Sequence, residues 1–289
     1  MLNALTVDVE DYFHVSAFSD VISPLQWDGL ESRVEQNTLR LLELFESREI
    51  RATFFVLGWV ASRSPALVRR IHDAGHEVAC HGLSHKLVYT QTPDQFRAET
   101  RESKRILENL IGTEVIGYRA ASYSITPKSL WALDILVEEG FSYDSSVFPI
   151  RHDRYGMPNA SRKPGFMRTP NGASLLEFPL STAKILGARL PVSGGGYFRI
   201  FPYWLTRAGL SSINRADGMP FIFYLHPWEI DYEQPRVRAG VVSTLRHYTG
   251  LRECESRLRQ LLKEFQFGTV KAVLERQGLW PTPRGGSGL

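Results

Sequence analysis

The chain has 289 residues, 43% of them apolar, and a net charge of +3. That content supports a large core and excludes global disorder. The charge is too slight to argue for nucleic acid, and no run approaches the roughly 18 apolar residues of a membrane span, which leaves only peripheral contact with a membrane open. Residues 2–9 read as a strand, and Val34, Leu41, Leu42, Leu44 and Phe45 recur at helical spacing over 33–47. Ala52 to Leu57 reads as a buried strand closed by Gly58. Ser64-Pro65 supplies the cap and first residue of a helix that stops at Gly75. His76 to Cys80 is the next strand. Thr92-Pro93 opens a long helix ending near Leu110, with Gly112 behind it, and Val115 to Tyr118 is a strand. Thr126-Pro127 opens a helix ending at Gly140, and Phe141 to Tyr143 is a strand.

Residues 150–215, rich in Arg, Pro and Gly, read as an irregular insertion with a short hairpin around Leu175 to Leu180. Phe221 to Leu225 returns as a buried strand. Residues 252–265 form a final amphipathic helix with Leu258, Leu261, Leu262 and Phe265. The tail from Arg284 to Leu289 reads as a flexible end. Strands alternating with helices predict an α/β fold with a mostly parallel sheet, in which sites gather at the carboxyl ends of strands. No boundary divides 1–289, so the expectation is a single domain with a C-terminal extension over 230–280. Cys80 and Cys254 are too few and too distant for a disulfide framework, and Cys80 reads as a buried structural thiol. With no secretion signal visible at Met1, the expected compartment is the cytoplasm.

Chemistry concentrates where strands end. Asp8, Glu10 and Asp11 follow the first strand; Asp8 and Glu10, two apart, share a face. The plainer reading is that these acids cap the next segment, and Asp11 competes with Glu10 for any metal. His81 and His85 lie four apart after another strand, a spacing that can point two rings at one ion. Two polar loop histidines are the alternative. A His, His, carboxylate site suits Zn²⁺, and also Fe²⁺, Co²⁺ or Mn²⁺. His226 ends a buried strand and is a candidate general acid, Arg119 a candidate ion-pair partner for Asp8, and Asp144 either orients a histidine or is a turn aspartate. Tyr12, Phe13, Tyr123, Trp204 and Trp228 offer faces for sugar rings, with ordinary packing the commoner fate of each.

In this order the segments resemble the motifs of the polysaccharide deacetylases with a NodB-type domain, carbohydrate esterase family 4. They are Thr6-Val7-Asp8-Val9-Glu10-Asp11, His81-Gly82-Leu83-Ser84-His85, Arg119-Ala120-Ala121, Asp144-Ser145-Ser146 and Leu225-His226-Pro227. The whole chain is similar to a bacterial subgroup encoded near exopolysaccharide and exosortase clusters. The resemblance implies a distorted (β/α) barrel of about seven strands and a metal-dependent deacetylase of N-acetylated glycans. It implies Asp8 as base, His81 and His85 as metal ligands and His226 as acid. Arg119 would tether Asp8, Asp144 would support the catalytic histidine, and a backbone amide near Ser122 would serve the oxyanion. Val9 stands where the family has a second aspartate, which moves the carboxylate ligand to Glu10 or Asp11. Ala121 replaces a proline, and Gly82 a serine or threonine. An allantoinase-like amide hydrolase and a non-catalytic carbohydrate-binding relative are the rival readings. A metalloprotease is disfavoured because Gly82 follows His81.

Overall fold

Eleven strands are present in the computed structural model, which describes residues 1–185 and 187–280; the tail at 284–289 lies outside the described residues. They are β1 (Leu2–Val9), β2 (Thr53–Val56), β3 (Glu77–Cys80), β4 (Gly117–Tyr118), β5 (Tyr143–Asp144), β6 (Gly165–Arg168), β7 (Ser174–Glu177), β8 (Thr182–Ile185), β9 (Ala188–Pro191), β10 (Ile222–Leu225) and β11 (Gln266–Gly268). The main sheet runs β10-β1-β2-β3-β4-β5-β7-β6, with β11 also paired to β1. From β10 to β7 every neighbouring pair is parallel, and β6 adds an antiparallel hairpin at the edge. The gap beside β10 is spanned by single contacts. Tyr224 N–H donates to Ser193 C=O (2.8 Å), and Ile222 N–H donates to Ser181 Oγ (2.9 Å). The result is a distorted α/β barrel with helices outside.

The β1 sequence explains both layers. Leu5, Val7 and Val9 pack outward in the core shared with the helices, while Ala4 points to the barrel interior with Phe55, Tyr143, Leu176 and Ile222. Period-two alternation puts Thr6, Asp8 and Glu10 on the side of Ala4, so the strand carries carboxylates to the upper end of an otherwise apolar interior. Register then aligns the functional ends. Val7 pairs with Leu225, Val56 with Cys80, Cys80 with Tyr118, and Tyr118 with Asp144. The next residues, Asp8, His81, Arg119 and His226, therefore emerge at one rim.

Most expected elements are found, with bounds set by local chemistry. The long helix Pro93–Ile111 is closed at its start by a reciprocal Thr92–Gln95 box and ends on left-handed Gly112. Pro65 opens the helix Pro65–Asp73, but Ser64 provides no side-chain cap. Gly58 begins a short helix, Gly58–Arg63, instead of merely ending a strand; a Cβ there would stand 2.7 Å from Ser103 Oγ. The helix expected from Thr126 starts at Trp131, because Ser129 Oγ binds Thr126 N–H and Ser124 C=O and holds a turn. Residues 150–215, expected to be irregular, hold two hairpins and the helices Gly195–Ile200 and Tyr203–Arg215. The first hairpin, β6–β7, sits upstream of the predicted position, and its β7 arm joins the barrel wall. The C-terminal helix spans Leu251–Glu264; β11 and the helix Val270–Arg276 beyond it were not expected. No helix among the described residues is long and apolar enough to cross a membrane.

Candidate active site

Glu10, His81 and His85 bring one ligand atom each within 4.8 Å of one another. Gly82 and His85 both adopt left-handed backbone (φ 74° and 54°), which bends the loop so that two rings four residues apart face inward. His81 Nδ1 lies 2.8 Å from Arg119 C=O; donation there makes Nδ1 the protonated nitrogen and leaves Nε2 as a lone-pair donor. Burial pushes His81 down to about 4, so the ring is neutral near pH 7. Burial opposes ionisation of Glu10, yet the imidazoles of His85 and His226 hold its carboxyl well below the usual range. Glu10 Oε2 is 2.6 Å from His85 Nε2 but accepts no properly directed hydrogen bond. The donors converge on shared space rather than on each other, which fits a cation.

Asp11 is no part of this cluster. Its carboxylate accepts from Tyr12 N–H (3.0 Å), Ser32 Oγ (2.7 Å), Arg33 N–H (2.8 Å) and Val34 N–H (3.1 Å). It caps the helix Val34–Glu46 from a distance, which leaves Glu10 as the carboxylate of the site.

Asp8 and His226 flank the cluster. His226 Nε2 lies 3.9 Å from Asp8 Oδ2 and 3.5 Å from Glu10 Oε1. Asp8 is tethered by fully buried Arg119, whose Nη1 donates to Asp8 Oδ1 (2.6 Å) and to Thr6 Oγ1 (2.8 Å). Ser145 completes the clamp with its carbonyl (3.1 Å) and hydroxyl (3.0 Å). Burial would lower the affinity of His226 for a proton, but Glu10, Glu229 and Asp8 outweigh it and raise its pKa to about 9.

The expected support of this histidine by Asp144 is corrected. The carboxylate at His226 Nδ1 is Glu229 (2.7 Å), whose other oxygen accepts from Arg199 Nε (2.6 Å). Arg199 is fixed in turn by the carbonyls of His247 (2.6 Å), Thr249 (2.8 Å) and Arg246 (3.1 Å). Asp144 sits across from Glu177 in the β5–β7 register and accepts from Ser146 Oγ. Burial raises both carboxyls, Asp144 to about 6 and Glu177 further, and Asp144 Oδ2 and Glu177 Oε2 lack other partners. The pair belongs to the β5–β7 wall, not to the histidine.

Residues 24–136 match the polysaccharide deacetylase family, and residues 145–275 match a domain of unknown function, DUF3473. The chain is 32% identical over 108 residues to the peptidoglycan deacetylase of Helicobacter pylori. It is 32% identical over 75 residues to a peptidoglycan-N-acetylglucosamine deacetylase of Bacillus cereus. The matched stretch, residues 24–136, is similar to the polysaccharide deacetylases. Those aligned segments cover 37% and 26% of this chain and only 36% and 27% of the two relatives. A structure from Mycobacterium smegmatis assigned to the polysaccharide deacetylases superposes with a TM-score of 0.67 at 21% identity, over 99% of this chain and 94% of that one. PuuE allantoinase superposes with a TM-score of 0.61 at 16% identity, over 96% and 91%. At these identities the likeness concerns the fold.

The Arg119-Ala120-Ala121 segment turns without a proline. Ser122 and Tyr123 both take left-handed backbone (φ 50° and 54°), a conformation that costs roughly 1–2 kcal/mol per non-glycine residue. The turn is pinned by Ser16 Oγ, 2.7 Å from Ser122 Oγ, and Tyr123 OH reaches toward Asp8 Oδ2 (3.5 Å). A cleft of about 210 Å³ opens above the cluster, lined by Ser122, Tyr123, Gly195, Gly196 and Trp228 among others. Of the aromatics singled out in the sequence, Tyr123 and Trp228 line it. Tyr12 and Phe13 are buried behind it in an apolar cluster that includes Trp228, and Trp204 is exposed elsewhere. Trp228 stacks between His226 and His247 (centroids 5.2 and 4.3 Å), with Nε1 3.4 Å from Glu10 Oε1. Sequence reasoning missed Glu229 and Arg199. The one available signal was the His226-Pro227-Trp228-Glu229 spacing, which permits an i, i+3 contact.

Proposed function

We propose that this protein is a metal-dependent N-deacetylase acting on amino-sugar units of a bacterial polysaccharide or its precursor. The observation that carries the proposal is that His226 lies 3.9 Å from Asp8 and 3.5 Å from Glu10, and that Asp8 and His226 line one open cleft with the Glu10–His81–His85 cluster. The match of residues 24–136 to the polysaccharide deacetylases supports it, as does the presence of both proton-transfer groups, which a non-catalytic carbohydrate binder would not need.

Glu10, His81 and His85 would hold the cation, and a nitrogen–nitrogen–oxygen set favours zinc, with cobalt, manganese or iron as alternatives. When bound, such an ion polarises a carbonyl and lowers the pKa of water toward about 7. Asp8, held in place by Arg119, takes a proton from the attacking water. Ser122, in its strained turn, presents a backbone amide toward the developing oxyanion; one such donor is worth about 3–4 kcal/mol. His226, ringed by carboxylates and therefore protonated, gives its proton to the departing nitrogen. The amide C–N bond breaks, and the products are acetate and a free amine. A role in exopolysaccharide assembly, as the sequence resemblance implies, belongs to the same proposal.

The test is acetate release from N-acetylglucosamine oligomers and peptidoglycan fragments, beside ring opening of allantoin to allantoate as an amide control. Turnover of the glycans and not of allantoin supports the reading. Turnover of allantoin alone would replace it with the small-amide alternative.

A further inference from the structure

The helix Val241–Tyr248 is inside out. Its one buried residue is His247, while Val241, Val242 and Leu245 are 75%, 61% and 60% exposed. An isolated apolar residue on a surface needs no explanation; three on one short helix call for a partner. The surrounding charge is one-sided. Residues 235–252 carry Arg236, Arg238, Arg246 and Arg252 and no acid, the nearest chain neighbours of that sign being Glu233 and Glu253 just outside. Exposed Tyr232 lies under Arg252, with the guanidinium 5.1 Å from the ring centroid. Val21, also exposed, follows the turn Ser16–Phe18, whose Phe18 packs on His247 with centroids 4.6 Å apart. The patch also borders the reaction site, because Arg246 and His247 line the cleft that holds His226.

We propose that this patch docks the protein on an anionic lipid surface, with the cleft mouth held at the headgroup level. Aliphatic side chains enter the headgroup–acyl boundary, arginines contact phosphate, and a tyrosine sits at the interface. Other occupants fit less well. A two-fold dimer through this face would set the four arginines of residues 235–252 against the same four. A glycan strand would find no use for Val241, Val242 and Leu245, since sugar rings stack on aromatic faces. The inference does not depend on the reaction assigned to the cleft.

Sedimentation with vesicles tests it. The full chain should pellet with phosphatidylglycerol-containing vesicles at about 0.1 M salt, should stay in solution with pure phosphatidylcholine, and should be released at about 1 M salt. Val242→Ser/Leu245→Ser should weaken binding at least tenfold, and Arg238→Gln about fivefold. Arg69→Gln, a charge-matched change on the distant helix Pro65–Asp73, should leave binding unaltered, and all variants should keep the parent circular dichroism. No binding to anionic vesicles would overturn the proposal. Equal weakening by Arg69→Gln would overturn it too, since binding would then reflect overall charge. So would a dimer in light scattering that Val242→Ser/Leu245→Ser dissociates.

Discussion

Replacing Glu229 by glutamine probes the part of the site that the sequence concealed. The side chain keeps its shape, so packing against Trp228 and the barrel rim is retained. The charge that His226 Nδ1 meets at 2.7 Å is lost. Glutamine also presents one oxygen and one NH₂ where two donors, His226 Nδ1–H and Arg199 Nε–H, both require an acceptor. One donor is left facing a donor. If the oxygen turns to Arg199, the imidazole loses its orientation. If it turns to His226, a buried guanidinium loses its partner, a change that costs about 3–5 kcal/mol. In serine proteases, neutralising the carboxylate behind a catalytic histidine lowers kcat by about 10⁴, and general acid catalysis is worth about 10²–10⁴. Glu229→Gln should therefore lower kcat for acetate release by about 10²–10⁴, with KM little changed and metal content equal to the parent. Thermal melting measured alongside separates a folding defect from a catalytic one. Arg199→Met/Glu229→Gln, which removes the stranded cation, should recover stability but not turnover. A kcat within fivefold of the parent, in folded and metal-loaded Glu229→Gln, would refute the role assigned to this carboxylate.

Asp8→Asn should retain the metal and lose at least 10²-fold in kcat, as measured by acetate release beside elemental analysis. His81→Ala should lose metal and activity together. Asp11→Ala should lower stability by about 1–3 kcal/mol in urea titrations, through the freed N–H groups of Arg33 and Val34, with metal affinity unchanged. Glu10→Gln should do the reverse. The Asp144–Glu177 pair makes stability depend on pH. Because burial raises Asp144 from 3.8 to about 6, the native state binds more protons than the unfolded chain between those values. Its contribution is present at low pH and is lost as pH rises through about 6, at up to about 1.4 kcal/mol per unit for one proton. Asp144→Asn should flatten that decline, seen as a smaller fall in urea midpoint between about pH 4 and pH 7.

What the sequence made legible follows from short-range rules. Period-two alternation placed Asp8 and Glu10 on one face of β1. Proline and glycine punctuation located the helices after Ser64 and Thr92. The carboxyl-end rule brought Asp8, His81, Arg119 and His226 to one rim. What stayed hidden depends on contacts between distant segments. Asp11 and Glu10 are equivalent on paper; only the return of Arg33 and Val34 to Asp11 decides between them. Only the resemblance ties Asp144 to a histidine; its partner Glu177 lies in a stretch whose strands are short and bounded by Pro164, Pro170 and Pro179. Arg199 reads as surface charge until the helix Leu251–Glu264 and the loop before it enclose it.

The central claim is that Glu10, His81 and His85 grip one cation that turnover requires. Acetate release from N-acetylglucosamine oligomers should vanish when the protein is stripped with chelator and return in proportion to zinc or cobalt added, saturating at one equivalent per chain. Undiminished release by the stripped protein would contradict the account, and so would full restoration by metal in His81→Ala/His85→Ala.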